Sequence, residues 1–264
     1  FHMAPSPGLC YNFPMNKLIR PGETLRVIKE NNFQFQKRFG QNFLIDESVL
    51  RDILTASEIT REDCVLEIGP GIGTLTQALC ESARRVIAVE LDKKLIPILE
   101  ENLSAYDNLR LIQGDALRLD LIRLIGEEND GHPIKVAANL PYYITSPILM
   151  FLLESRAPIR SITIMVQREV AERMRALPGT KSYGALSLAV QYFTVPRMVM
   201  DVPPRSFLPA PEVTSAVIAC QVQDVPTVQP NDEKLFFRLV RAAFGQRRKT
   251  LLNALTGAGL SKEM

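Results

Sequence analysis

The stretch "CVLEIGPGIGTLTQALCESARRVIAVE", residues 64–90, reads as a short apolar strand, a glycine turn, a helix and a second strand. "CVLEI" (64–68) and "RVIAV" (85–89) are continuous apolar runs of strand length, and 73–83 between them carries a helical pattern. Two such strands joined by a crossover helix pair in parallel, and strands buried on both faces are apolar throughout. The unit repeats outward. "LRLI" (109–112), "IKVAA" (134–138) and "ITIMV" (162–166) are further strands, alternating with helices expected at 93–104, near 117–125, at 147–155 and at 167–176. Upstream, Asp46 N-caps a helix running to Ala56, with Val49, Leu50, Ile53 and Leu54 as its apolar stripe. The fold class is α/β, a doubly wound Rossmann-like domain.

After about residue 185 the alternation stops. "FTVPRMVMDV" (193–202) and "EVTSAVIACQV" (212–222) flank the Pro-rich "PPRSFLPAPEV" (203–213) and are expected to form an antiparallel hairpin at one edge of the sheet. "DVPTVQPND" (224–232) reads as a linker. Beyond it lie an amphipathic helix carrying Leu235, Phe236, Leu239 and Val240, and a second helix from about Gln246 to Leu255. The expected division is a leader at 1–14 with Met15 as a plausible native start, a main domain at 15–225 and a small helical C-terminal domain at 226–264 that looks unfinished.

Composition bounds the chemistry. The 264 residues can bury a large core, and no apolar stretch approaches membrane-spanning length. Cys10, Cys64, Cys80 and Cys220 lie far apart with no CxxC pair, which argues against a zinc site and a disulfide framework. With only His2 and His132, a histidine triad or metal cluster is not expected, so no metal is assigned. The chain reads as a cytoplasmic monomer. Its net charge is only +2, yet Lys234, Arg238, Arg241, Arg247, Arg248 and Lys249 form a run free of acidic residues, either a solvated helix face or a nucleic-acid contact.

Three stretches carry chemistry. In "LEIGPGIGTLT" (66–76) the glycines are spaced G-x-G-x-G at Gly69, Gly71 and Gly73, with Thr74 where a dinucleotide fingerprint has its last glycine. Glu67 before the turn would repel a pyrophosphate but suits a cationic amino-acid ligand, which favours S-adenosylmethionine (SAM). Glu90, closing the next strand, can accept both hydroxyls of a ribose. Asp115 in "QGDAL" (113–117) can accept an adenine amine or cap a helix.

The third stretch is "NLPYYITSPI" (139–148), a polar corner at the end of a buried strand. Methyl transfer to an aromatic amine is difficult because the nitrogen lone pair is delocalised into the ring. The Asn139 side-chain oxygen and the Leu140 carbonyl can accept hydrogen bonds from that amine and free the lone pair. Pro141 stiffens the corner, and Tyr142 can stack on the base. Transfer then depends on positioning, and the methylated amine is acidic enough to lose its proton without a strong base.

These motifs resemble the ribosomal RNA adenine N6-dimethyltransferases that act on the small subunit. "NLPYYITSPIL" (139–149), "KRFGQNFL" (37–44), "QREVAERM" (167–174), "YGALSLAVQ" (183–191), "FLPAPEVTSAV" (207–217) and "FGQRRKTLLNAL" (244–255) match in order, from about Lys37 to Leu255. The resemblance implies SAM contacts at Asn42, Leu44, Gly69, Gly71, Glu90, Asp115 and Asn139. It also implies Phe207 as a second aromatic facing Tyr142 across the target adenine, and an RNA-facing role for Arg238, Arg241, Arg247, Arg248 and Lys249. The implied substrate is a pair of adjacent adenosines near the 3′ end of small-subunit rRNA, each methylated twice within a pre-ribosomal particle. Alternatives are the antibiotic-resistance methyltransferases of large-subunit rRNA, DNA adenine methyltransferases, whose Asn-Pro-Pro-Tyr motif has a proline this corner lacks, and an assembly checkpoint factor whose binding outweighs its catalysis.

Overall fold

Residues 64–68 are buried on both faces: Cys64, Leu66 and Ile68 enter one core cluster while Val65 enters another. The same split recurs at Ile87 and Val89 against Val86, and at Val136 and Ala138 against Ala137, because successive strand side chains point to opposite faces. The computed structural model describes residues 17–36, 40–245, 250–257 and 259. In chain order the elements are helix α1 (Pro21–Glu30), strand β1 (Phe43–Leu44), α2 (Glu47–Ser57), β2 (Cys64–Ile68), α3 (Thr74–Ser82), β3 (Arg85–Glu90), α4 (Ile96–Asn102), β4 (Leu109–Gln113), α5 (Leu121–Asn129) and β5 (Ile134–Asn139). Then follow α6 (Thr145–Glu154), β6 (Ile159–Gln167), α7 (Arg168–Met174), α8 (Ala185–Phe193), β7 (Thr194–Val202), β8 (Phe207–Leu208), β9 (Ser215–Val222), α9 (Glu233–Gly245) and α10 (Leu251–Gly257).

The main sheet has seven strands in the order β4-β3-β2-β5-β6-β9-β7. The pairs from β4 to β6 are parallel, whereas β9 runs antiparallel to both β6 and β7. The expected edge hairpin is therefore present, with β9 as its inner strand. Chain order reverses between β2 and β5, so their carboxyl ends flank the topological switch point, where open α/β sheets bind ligands.

Helix boundaries move where local chemistry dictates. The helix expected at 93–104 spans only Ile96–Asn102, its start set by Pro97 in the first turn. The one expected near 117–125 begins at Leu121, because the Asp120 carboxylate caps the Arg123 amide. Helices α1 and α8 were not anticipated, and α8 passes directly into β7 at Thr194. Helix α9 docks through Phe237, which lies 5.1 Å from Tyr192 and stacks on Phe193 at 5.5 Å, while Glu233 accepts a hydrogen bond from the Tyr192 hydroxyl at 2.9 Å and pairs with Arg156. Phe237 thereby joins the main core. Gln246 and the expected leader lie outside the described residues; α10 starts at Leu251.

A second, two-stranded sheet joins β1 to β8, pairing Phe43 with Leu208 and Leu44 with Phe207. Asp46 braces the junction. Its Oδ1 accepts from the Ser48 amide at 3.1 Å at the start of α2, and its Oδ2 from the Ser206 hydroxyl at 2.8 Å. Asp46→Ala removes a cap and this cross-chain bond together. It should cost about 1–2 kcal/mol and lower the melting temperature by several degrees. A thermal melt unchanged from wild type would contradict that.

Candidate active site

The glycine turn leaves β2 with Gly69, Gly71 and Gly73 at φ of +73°, +65° and +97°. A side chain is strained at such angles, and at Gly71 an added Cβ would also meet the Phe43 ring at 3.1 Å. The Gly69 amide donates to the Val89 carbonyl at 2.9 Å, which draws the turn against the end of β3. There Glu90 is fixed by backbone donors: the Asp92 amide reaches Oε1 at 2.7 Å and the Gly71 amide Oε2 at 3.3 Å. Burial raises the Glu90 pKa to about 7 against these two amides, which favour the anion.

One cleft at the switch point is lined by Gly69, Gly71, Glu90, Asp115 and Asn139 together with the corner Leu140, Pro141 and Tyr142. Asp115 caps a helical turn, as expected, and also reaches the cleft. Its Oδ1 accepts from the Leu117 amide at 3.0 Å. Asn42 lines the cleft too, and its carbonyl accepts from Asn139 Nδ2 at 3.1 Å. That bond commits the amide nitrogen of Asn139 and leaves Oδ1 as its acceptor end. The Leu140 amide donates to the Met165 carbonyl at 3.1 Å, and the Pro141 carbonyl accepts from the Ile144 amide at 3.2 Å, so the corner's backbone is anchored on both sides.

Three expectations fall elsewhere. Leu44 and Phe207 are buried in the core cluster that contains Val49 and Val217, and neither lines the cleft, because the β1–β8 pairing turns both side chains inward. Glu67 is 1% exposed on the face shared with Leu75 and Leu79, away from the cleft, so it offers no charge to a cationic ligand. Burial raises its pKa to about 8. Arg241 is partnered, 3.6 Å from Glu154; Arg238 is exposed, and Arg247, Arg248 and Lys249 lie outside the described residues.

Several lining residues were not singled out from the sequence. Gln41, Phe43 and Tyr143 face the cleft, and Asp92 ties the strap above it: its Oδ2 accepts from Gln36 Nε2 at 2.9 Å and Gln41 Nε2 at 3.0 Å. Gln41 and Phe43 lie within the 37–44 motif, and Tyr143 within the 139–149 motif. No motif marks Asp92, whose glutamine partners are more than fifty residues away.

A glycine turn and a carboxylate-ended β3 at the switch point, with an antiparallel strand inserted beside β6, define a Rossmann-like methyltransferase. The chain belongs to the ribosomal RNA adenine dimethylase family, whose model matches residues 32–263. It is 56% identical over 248 residues to the ribosomal RNA small subunit methyltransferase A of Lachnoclostridium phytofermentans, covering 92% of this chain and 86% of that protein. For the protein of the same name in Alkaliphilus oremlandii the identity is 51%, covering 94% and 87%. Among solved structures, a dimethyladenosine transferase from Plasmodium falciparum aligns with a TM-score of 0.68 at 31% identity, covering 81% of this chain and 74% of that one. The 23S rRNA methyltransferase ErmE aligns at 0.63 and 29%, covering 82% and 84%.

The buried Glu67 generates a pH test. Between pH 4.5 and about 8 the unfolded chain releases a proton that the folded chain keeps, so stability falls as pH rises through that window. Glu67→Gln should match wild type near the lower limit and exceed it by roughly 4 kcal/mol at the upper one. Denaturant titrations across the window measure this; a wild type that gains on the variant with rising pH would contradict it.

Proposed function

We propose that this chain transfers methyl groups from SAM to the N6 amines of two adjacent adenosines near the 3′ end of small-subunit rRNA, twice each, in a cytoplasmic pre-ribosomal particle. The observation that carries this reading is the Asn139 amide, held by the Asn42 carbonyl so that Oδ1 is its acceptor, in the same cleft as Glu90 and Asp115.

SAM fits these residues. Glu90 offers two oxygens to ribose hydroxyls, Asp115 accepts the adenine amine, and the glycine turn lets the ligand approach the backbone. When bound, SAM supplies an electrophilic methyl group on a sulfonium. Asn139 Oδ1 and the Leu140 carbonyl accept the target amine's hydrogens and turn its lone pair out of conjugation. Tyr142 presents a ring face to the base, and Pro141 keeps the corner stiff. The proton leaves to solvent from a strongly acidic ammonium. Phe207 would reach the other face of the base only by leaving the core. Residues 15–225 carry the transfer in this reading, and 226–264 carry phosphate contacts through Arg238, Arg241 and the basic residues that follow. The protein acts as a monomer.

Two measurements test this. Small subunits lacking the modification should accept label from radiolabelled SAM at two adjacent adenosines, and Asn139→Ala should slow incorporation at least about a hundredfold. Label on large-subunit RNA or DNA overturns the assignment. Cofactor affinity, followed by calorimetry, should rise about tenfold per pH unit up to about pH 7 and level off above it, as Glu90 ionises to accept both hydroxyls. Glu90→Gln should flatten that curve, and an affinity that strengthens on acidification would count against Glu90 as the ribose acceptor.

A further inference from the structure

The Tyr142 hydroxyl and the Ser215 hydroxyl lie 2.6 Å apart and share a hydrogen bond. Their residues are 73 positions apart in sequence and belong to the two strands that flank β6: Tyr142 follows β5, and Ser215 opens the inserted antiparallel strand β9. Ser215 is fully buried, and its backbone is held between two strands, opposite Gln167 of β6 and Val202 of β7. Tyr142, by contrast, is only partly buried and has one side on the cleft. Its backbone is fixed by Pro141 at φ −59°, whose carbonyl also takes the Thr145 hydroxyl at 3.1 Å. A fixed backbone does not fix a ring, which still turns about its two side-chain torsions.

We infer that Ser215 is a positioning residue for the target base, its hydroxyl holding the Tyr142 ring at the angle against which the adenine stacks. The inference rests on the function proposed above. A platform held before the base arrives has already lost its rotational freedom, so less of the stacking energy is spent on ordering it. The loop from Phe207 to Ser215 thereby joins strand β8, paired to the strap over the cofactor site, to the tether of the target-base ring.

The test compares Ser215→Ala, Tyr142→Phe and the double variant on small subunits lacking the modification. Each single change should lower kcat/KM for rRNA about tenfold, with the cofactor dissociation constant within about twofold of wild type. The double variant should be no slower than the slower single one, because both remove the same bond. Losses that multiply in the double variant, a proportional loss of cofactor affinity, or full activity in both singles would overturn the role. Tyr142→Phe deletes one oxygen at a partly open position and reads the same bond should Ser215→Ala fold poorly. A spectroscopic readout needs no rRNA: with 13C-labelled tyrosine, the ring signal that disappears in Tyr142→Phe should shift in Ser215→Ala, and an unmoved signal overturns the tether. A ring signal that shifts in Ser215→Ala, while the wild-type protein labels no rRNA, sinks the proposed function and not the tether.

Discussion

A side-chain amide has a donating and an accepting end, and at Asn139 a single hydrogen bond decides which end does what. Its nitrogen is taken by the Asn42 carbonyl at 3.1 Å, so its oxygen is the end left to accept in the cleft. The same bond pins the 40–44 strap to the tip of β5. From there constraint passes along the chain: Leu44 pairs with Phe207, Ile45 donates to the Ser206 carbonyl at 2.9 Å, and Asp46 takes the Ser206 hydroxyl at 2.8 Å. The strap that lines part of the cleft and the 206–208 segment are therefore one connected assembly, built on the switch point of the sheet.

Carboxylates divide the labour by what surrounds them. Glu90 is raised to about 7 by burial yet receives two backbone amides, an arrangement suited to a group that must remain able to accept. Asp92, two residues on, is occupied by glutamines of the strap and holds that segment down. Glu67 has burial without comparable donors, and it stays protonated at neutral pH as part of the core rather than of the site. Position in sequence beside a glycine turn says little about which of these fates a carboxylate meets. The face of the strand decides it.

The legible part of this protein is the part whose signals are local. Runs such as "CVLEI" and "IKVAA" announce buried parallel strands, glycines at fixed spacing announce the turn, and the strand-helix alternation places Glu90 and Asp115 at the same edge of the sheet. Helix α8 was missed because its apolar residues continue into β7 without a break at Thr194. The β1–β8 pair was missed for another reason: its partners are about 164 residues apart and each strand is only two residues long, too short for any periodicity. That pair is also what turns Leu44 and Phe207 away from the cleft, so motif resemblance placed them at the site while the sheet buried them. Glu67 is a different case. Alternation along β2 puts Glu67 on the opposite face from Leu66 and Ile68, a period-two argument that outranks its closeness to the turn.

The most direct measurement is a crystal structure of this protein with S-adenosylhomocysteine and adenosine bound together. The account predicts ribose hydroxyls on Glu90, the cofactor's adenine amine on Asp115, and the second adenosine's amine against Asn139 Oδ1 with its ring on Tyr142. It would be contradicted by an Asn139 amide that has let go of the Asn42 carbonyl to donate to the substrate, or by a cofactor held away from Glu90.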